Sequence, residues 1–180
     1  MALLQARRLY TGRVLNLDLD TVRFPDGSTG ELEMIRHPGA AAILPFVDPP
    51  DRPDPRVLLI RQFRHAADGV VWEIPAGRRE PGERPEACAH RELEEETGWR
   101  ATVMEPLLAL YTTPGFTDEV IWLYRASGLV PGQAAREADE FVEVHTLRWT
   151  EVMALARAGG ITDSKTLTTL LFVQCFLVQG

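Results

Sequence analysis

Cysteine is scarce in this sequence, which has two in 180 residues, Cys88 and Cys175. Cys88 lies in a predicted helix, and Cys175 lies in an apolar run near the C-terminus. Neither stands at metal-ligand spacing from a histidine or from the other cysteine, which argues against a zinc site. We expect two reduced, buried thiols, because cysteine is among the residue types that are most often buried.

Basic residues are outnumbered by acidic ones. Nineteen lysines and arginines against 26 aspartates and glutamates give a formal net charge of -7. This balance argues against the basic surface that binds nucleic acid. It is compatible with a small phosphorylated substrate, because bound divalent metal ions invert the local charge.

Long hydrophobic runs are also missing. The first ten residues contain no apolar stretch of signal-peptide length. The most apolar segment, LLFVQCFLV, is interrupted by Gln174 and is too short to span a bilayer. We therefore expect a cytoplasmic protein that has neither nucleic acid nor a membrane as a partner.

The order of predicted elements is typical of a mixed β-sheet with helices. Residues 13–36 alternate between apolar and polar side chains on both sides of the turn PDGSTG, which predicts an antiparallel, hairpin-like unit. AAAILPFV, RVLLIRQFR and VVWEI predict strands, and helices are predicted at 86–97 and near the C-terminus. Because strands and helices do not alternate strictly, this pattern leaves the class open between α/β and α+β.

Three glutamates share one face of the helix predicted at 86–97. At about 100° per residue, Glu92, Glu95 and Glu96 fall within a sector of roughly 100°. Like charges at this spacing repel each other. A bound cation such as Mg²⁺ would explain them, because hard divalent ions prefer carboxylate oxygens. The alternative is a solvated helix face on which Arg84 and Arg91 pair with the glutamates.

The spacing around these glutamates fills every fixed position of a known signature. The complete Nudix box reads Gly77, five residues, Glu83, seven residues, Arg91-Glu92-Leu93, one residue, Glu95-Glu96, one residue, Gly98-Trp99. Nine fixed positions over 23 residues make a chance match very improbable. The sequence thus resembles the Nudix hydrolases, and the resemblance implies an α/β fold, an α/β/α sandwich with a mixed β-sheet.

This resemblance implies roles for the residues of the box. The expected metal ligands are the Ala76 carbonyl and the carboxylates of Glu92, Glu95 and Glu96. Arg91 is expected to orient the glutamates through ion pairs, with Glu83 in support, so that both serve catalysis together with Glu95. Mg²⁺ is the expected cofactor, and Mn²⁺ is the alternative.

Further segments resemble the ADP-ribose pyrophosphatase branch of the family. They are LYTGRVLNLDLDTVRFPDGSTGELEMIRHPGAAAILPF, IRQFRHA, WEIPAG and YTTPGFTDE, which with the box cover most of residues 9–120. Pro114, sixteen residues after Gly98, is a mark of that branch. The resemblance implies a homodimer with a shared active site. Residues 1–38 would form an N-terminal antiparallel β unit that dimerises, and residues 39–180 the Nudix domain.

The branch also implies a set of substrate-binding residues: Arg13, Val14, Glu33, Arg64, Gly115 and Phe116. The first three are expected at the nucleoside end of the substrate and Arg64 at the diphosphate. Gly115 and Phe116 lie on a predicted loop, and loops on a rigid scaffold often bind ligands. The simpler alternatives are a solvated strand residue for Arg13, a dimer-core residue for Val14 and a surface ion pair for Arg64.

The reaction implied by the resemblance is hydrolysis of ADP-ribose to AMP and ribose 5-phosphate, by attack of water on one phosphorus. A general base must reach that water, and relatives often use a glutamate from the loop before the last strand. In READEFVEVH, Glu140 directly precedes the predicted strand and is the expected base. Glu119 is the other candidate.

Two other functions remain open. A Nudix enzyme that hydrolyses GDP-mannose or another nucleoside diphosphate sugar would have the same metal site and a different base pocket. An ADP-ribose sensor without hydrolytic activity is the alternative from another class. Such sensors have usually lost box glutamates, and here Glu83, Glu92, Glu95 and Glu96 are all present.

Overall fold

The structure is a computed structural model that describes residues 1–135 and 141–177. The chain divides into two compact units. The first unit combines Met1–Gly39 with Ala109–Ile121, and the second combines Ala40–Leu108 with Trp122–Gly180.

The described residues form ten strands and three α-helices. In chain order they are β1 (Ala2–Thr11), β2 (Asn16–Arg23), β3 (Thr29–Arg36), β4 (Ala40–Pro45), β5 (Arg56–Arg64), β6 (Gly69–Glu73), β7 (Ala76–Arg78), α1 (Pro85–Thr97), β8 (Trp99–Tyr111), β9 (Val120–Pro131), β10 (Val142–Arg148), α2 (Trp149–Arg157) and α3 (Ser164–Phe176).

An antiparallel three-stranded sheet in the order β1-β2-β3 makes up most of the first unit. β2 and β3 confirm the hairpin predicted over residues 13–36, with Leu19 opposite Glu33 in the register. β1 was not predicted and pairs with the other edge of β2. All ten residues of β1 are exposed, so this strand shows no alternation of buried and exposed positions that a sequence pattern could detect.

Two further sheets, in the orders β10-β5-β6 and β7-β4-β9-β8, lie mostly in the second unit. All six residues of β4 are buried. Helix α1 packs on β4 through a core cluster that includes Ala41, Ile43, Cys88, Ala89 and Leu93. Helix α3 contacts β4 and β6, and α2 contacts β10. Sheets covered by helices in this way confirm the predicted α/β class.

Helix α3 buries only one stripe of its surface. Thr166, Thr169, Leu170 and Val173 are buried at the spacing i, i+3, i+4, i+7. Cys175 lies off this stripe and is exposed, whereas Cys88 is buried in α1, and both are free thiols. The expectation of two buried thiols was therefore wrong for Cys175, because an apolar run does not by itself determine which helix face is covered. Within residues 1–135 and 141–177, no helix is long and apolar enough to cross a membrane.

Thr166 links α3 to the end of β6 and provides a test of the fold. Its hydroxyl accepts a hydrogen bond from the Ile74 amide at 2.9 Å and donates one to Asp163 Oδ2 at 2.6 Å. Thr166→Val would leave the Ile74 amide buried without this acceptor, and we expect a loss of about 1–3 kcal/mol in the free energy of unfolding measured with urea. Thr168→Val, at an exposed position of the same helix, is the control. Equal losses in both variants would contradict this account.

Candidate functional site

Helix α1 presents the glutamates of the box to β7. The helix begins with Pro85 at its first position and ends at Gly98, whose φ of 75° is left-handed and therefore favours glycine. Glu92 and Glu96 are buried, and Glu95 is more exposed. A fully solvated helix face, the alternative to a metal site, does not describe this arrangement.

Gly77 on β7 leaves the space that the carboxylate of Glu92 needs. A Cβ atom at position 77 would lie 2.0 Å from the carboxyl carbon of Glu92, far inside van der Waals contact. One residue earlier, the amide of Ala76 donates a hydrogen bond to Glu96 Oε2 at 2.9 Å. The backbone of β7 therefore leaves room for the Glu92 carboxylate and holds the Glu96 carboxylate by a hydrogen bond. The predicted role of the Ala76 carbonyl remains a prediction.

The guanidinium of Arg91 lies among the carboxylates. Its Nε and Nη2 donate to the two oxygens of Glu83 at 2.9 and 3.0 Å. Its Nη1 donates to Glu92 Oε1 at 2.6 Å and to Glu95 Oε2 at 2.8 Å. The ion pairs expected of Arg91 are present, and one cation therefore joins three acidic side chains.

These contacts change the protonation equilibria of the cluster. Hydrogen bonds from Arg91 lower the pKa of Glu83 to about 2, although partial burial opposes the shift. The pKa of Arg91 is raised, first by the hydrogen bond to Glu83 and then by the charge of Glu92, while burial acts in the opposite direction. Glu83 contributes to stability above its unfolded pKa near 4.5, and this contribution is lost as the pH falls towards 2.

The donor set fits hard divalent cations. Glu83, Glu92, Glu95 and Glu96 carry four negative charges against the single positive charge of Arg91, a formal excess of three. Carboxylate oxygens are the ligands that Mg²⁺ prefers. The space beside Gly77 lets the Glu92 carboxylate lie against the backbone of β7. Among the described residues, no three acidic, histidine or cysteine side chains are arranged as ligands of one ion. In this structure the guanidinium of Arg91 partly neutralises the charge of the glutamates.

Arg64 lies at the end of β5 in the same unit. Its Nε and Nη2 donate to the two carboxylate oxygens of Glu73 at 2.7 and 2.8 Å. The charge of Glu96 is among the influences that raise the pKa of Arg64, after the hydrogen bond to Glu73. Sequence reasoning missed Glu73 and its second partner, Lys165. A glutamate at the end of a predicted apolar strand, VVWEI, was the signal that could have identified Glu73.

The other predicted substrate-binding residues lie in the first unit. Arg13 and Val14 are exposed in the bend between β1 and β2, and Glu33 is exposed on β3. Gly115 and Phe116 are exposed on the loop that follows β8.

The loop that carries Gly115 and Phe116 is tied to the end of β3. The Ile35 amide donates to the Phe116 carbonyl at 2.7 Å, and the Asp118 amide donates to the Ile35 carbonyl at 3.2 Å. A pocket of about 310 Å³ opens here, with Ile35, His37, Phe116 and Glu119 in its lining. The loop is therefore held in a defined conformation beside a cavity.

The two candidate bases differ in what the structure shows of them. Glu140 lies outside the described residues, and β10 begins two residues later, at Val142. Glu119 lies in the first unit, 3.2 Å from His37 Nδ1 through its Oε1. Its Oε2 accepts a hydrogen bond from the Thr112 hydroxyl at 2.9 Å. The Nδ1 atom of His37 accepts a hydrogen bond from the Gly39 amide at 3.1 Å, so only Oε2 of Glu119 is engaged by a hydrogen-bond donor of its own unit.

Known proteins are similar to this chain in sequence and in fold. The NUDIX domain family matches residues 36–171. The chain is 37% identical to a methanol dehydrogenase activator from Bacillus methanolicus, over 95% of this chain and 91% of the relative. It is 36% identical to an ADP-ribose pyrophosphatase from Bacillus subtilis (strain 168), over 93% and 89% of the two chains. A solved ADP compounds hydrolase superposes with a TM-score of 0.82 at 21% identity, over 98% of this chain and 93% of that one, which confirms the predicted fold.

Gly77→Ala tests the close approach of β7 to Glu92. The added methyl group would displace the Glu92 carboxylate, and we expect the affinity for Mn²⁺, measured by titration calorimetry, to fall about 10-fold or more, in the range seen when the support of metal ligands is disturbed. Gly69→Ala is the control, because its added Cβ atom would meet nothing closer than 3.8 Å. Unchanged Mn²⁺ affinity in Gly77→Ala would show that the carboxylate position does not matter for the metal.

Proposed function

This chain belongs to the Nudix family of hydrolases, and we propose that its reaction is the hydrolysis of ADP-ribose to AMP and ribose 5-phosphate. The observation that carries the proposal is the complete box, folded with Arg91 joining Glu83, Glu92 and Glu95. The similarity to an ADP-ribose pyrophosphatase over nearly the whole chain supports the choice of substrate.

Nudix hydrolases generally use divalent metal ions, and Mg²⁺ is the ion proposed here, with Mn²⁺ as the alternative. Glu92, Glu95, Glu96 and the Ala76 carbonyl would hold it. When bound, the metal supplies Lewis-acid polarisation of the phosphoryl oxygens and lowers the pKa of the attacking water.

The chain's own groups orient the ligands and the substrate. Arg91 holds the glutamates in one arrangement despite their mutual repulsion, and its bidentate bond to Glu83 fixes the guanidinium from the opposite side. Arg64 adds a fixed positive charge for the diphosphate. Glu140 remains the proposed general base, and Glu119, whose Oε2 accepts a hydrogen bond from the Thr112 hydroxyl, is the alternative.

The residues of the first unit are proposed to bind the substrate beyond the diphosphate. Arg13, Val14 and Glu33 would contact the nucleoside end. The exposed Phe116 offers an aromatic face for stacking, and Gly115 allows the backbone of the loop to approach a ligand.

Substrate hydrolysis is tested by following nucleoside monophosphate release from ADP-ribose and GDP-mannose in parallel, with Mg²⁺ and with EDTA. We expect AMP release from ADP-ribose that stops with EDTA. In Glu96→Gln, kcat should fall by about 10²-fold or more, since catalytic metal sites supply several kcal/mol. Glu86→Gln, on the exposed first turn of α1, is the control and should retain activity.

The other outcomes identify the rival functions. Dominant GMP release from GDP-mannose would retain the metal site and reject the proposed substrate. ADP-ribose binding without turnover of either compound would favour a sensor.

We further propose a cytoplasmic homodimer with a shared active site, formed through the N-terminal β unit. Support comes from β1, whose exposed residues include Leu3, Leu4, Leu9 and Tyr10, since clustered exposed apolar side chains mark association surfaces. The two free cysteines fit a reducing compartment.

Sedimentation of purified protein tests the dimer. Wild type should sediment at about twice the 20.1 kDa chain mass. The double variant Leu3→Glu/Leu9→Glu should sediment as a folded monomer, because two buried charges in an apolar interface are costly. Thr168→Glu adds a charge at an exposed position of α3, outside the N-terminal β unit, and should remain dimeric. A monomeric wild type would reject the proposal.

A further inference from the structure

Lys165 is the only lysine in the sequence, since eighteen of the nineteen basic residues are arginines. It lies in the first turn of α3, where the helix dipole disfavours a cation. Its side chain is only 12% exposed, and its Nζ contacts the carboxylate of Glu73 and lies 3.0 Å from Asp163 Oδ1. The ammonium group of Lys165 is thus buried between two carboxylates at a helix position that is unfavourable for a cation. Its contact with Glu73 suggests what this lysine does.

Glu73, the partner of Lys165, is almost completely buried at the end of β6. Its Oε1 accepts from Arg64 Nε, and its Oε2 accepts from both Arg64 Nη2 and Lys165 Nζ. Burial acts to raise the pKa of Glu73, but the bonds and charges of Arg64 and Lys165 outweigh it and lower the pKa. Glu73 is therefore an ionised carboxylate whose two oxygens are both fixed, and it cannot rotate without breaking these bonds.

Arg64 uses only one edge of its guanidinium for this contact. A guanidinium has five N–H donors in a rigid planar fork, and the bonds to Glu73 occupy the edge formed by Nε and Nη2. Nη1 makes no hydrogen bond within the described part of the chain, and the side chain is 41% exposed. The remaining edge, between Nη1 and Nη2, has the geometry that binds a phosphate with two parallel hydrogen bonds.

We propose that Glu73 and Lys165 are positioning residues that hold one edge of Arg64, so that its other edge binds the diphosphate of the substrate. This inference rests on the proposed function, because it takes a nucleoside diphosphate sugar as the ligand. Glu73 sets the plane of the guanidinium through two bonds, and Lys165 keeps the Glu73 carboxylate in that plane. Arg64 can then meet the diphosphate in a conformation that is already ordered.

Two arginines of β5, Arg61 and Arg64, have different surroundings. Arg61 and Arg64 are three residues apart and therefore project from opposite faces of the strand. Arg61 pairs with Glu143 at 3.4 Å and lies over the ring of Trp72. Within the described residues no hydrogen bond or ion pair joins it to Glu73, so Arg61→Met removes a neighbouring arginine and leaves the polar contacts of Glu73 in place.

A double-mutant cycle tests the coupling, with kcat and KM measured for ADP-ribose and GDP-mannose and read for whichever is hydrolysed. In the wild-type background we expect kcat/KM to fall about 100-fold in Arg64→Met and about 10-fold in Glu73→Gln and in Lys165→Met, while Arg61→Met stays near wild type. In the Arg64→Met background, Glu73→Gln and Lys165→Met should cause no further loss, because they act only through Arg64.

Urea unfolding of every variant separates positioning from folding. Glu73→Gln removes one charge from a buried network and should reduce stability in both backgrounds, whereas its kinetic effect should vanish without Arg64. Lys165→Met keeps the test valid if Glu73→Gln fails to fold. Equal kinetic losses with and without Arg64, or an unchanged kcat/KM in Arg64→Met, would overturn the inference. If only GDP-mannose is hydrolysed, the proposed substrate is rejected, and the double-mutant cycle is evaluated with the kinetics of GDP-mannose.

Discussion

The site depends on the guanidinium of Arg91, which lies among carboxylates that repel each other. Glu92, Glu95 and Glu96 would destabilise an isolated helix that brought them together, because like charges at i,i+3 and i,i+4 repel. Arg91 offsets that repulsion through short bonds to Glu92 and Glu95 and through a bidentate bond to Glu83. The backbone beside the helix must also leave room for these carboxylates. β7 approaches α1 so closely at Glu92 that only glycine fits at position 77.

A second constraint lies in the four residues from the end of β6 to the start of β7. Glu73 binds the basic side chains of Arg64 and Lys165. Next along the chain, the Ile74 amide donates to Thr166 on α3, and the Ala76 amide donates to Glu96 on α1. The segment Glu73–Ala76 therefore connects both helices to the sheet that carries Arg64. The start of α3 is thus joined to the box by two hydrogen bonds that lie two residues apart on this segment.

Much of the site was predictable from the sequence because its geometry is local. A helical period places three glutamates on one ridge, and an alternating pattern defines the β2–β3 hairpin. The contact between Lys165 and Glu73 spans 92 positions, and no local period encodes a pair at that separation. β1 was missed for a related reason, since a strand exposed along its whole length shows no burial pattern. The role of Glu140 stays a prediction, since it lies outside the described residues.

The two arginines of the second unit solve different electrostatic problems. An acidic site in a protein of net charge -7 repels an anionic diphosphate, so binding needs a cationic donor edge that no group of the protein already uses. Arg91 cannot supply it, because Nε, Nη1 and Nη2 all donate to groups of the protein, including the Arg78 carbonyl at 3.0 Å. Arg64 keeps one edge open, and Lys165 shares the charge of Glu73. A lysine suits that buried position because a point charge can satisfy two carboxylates, whereas the planar fork of arginine suits the phosphate.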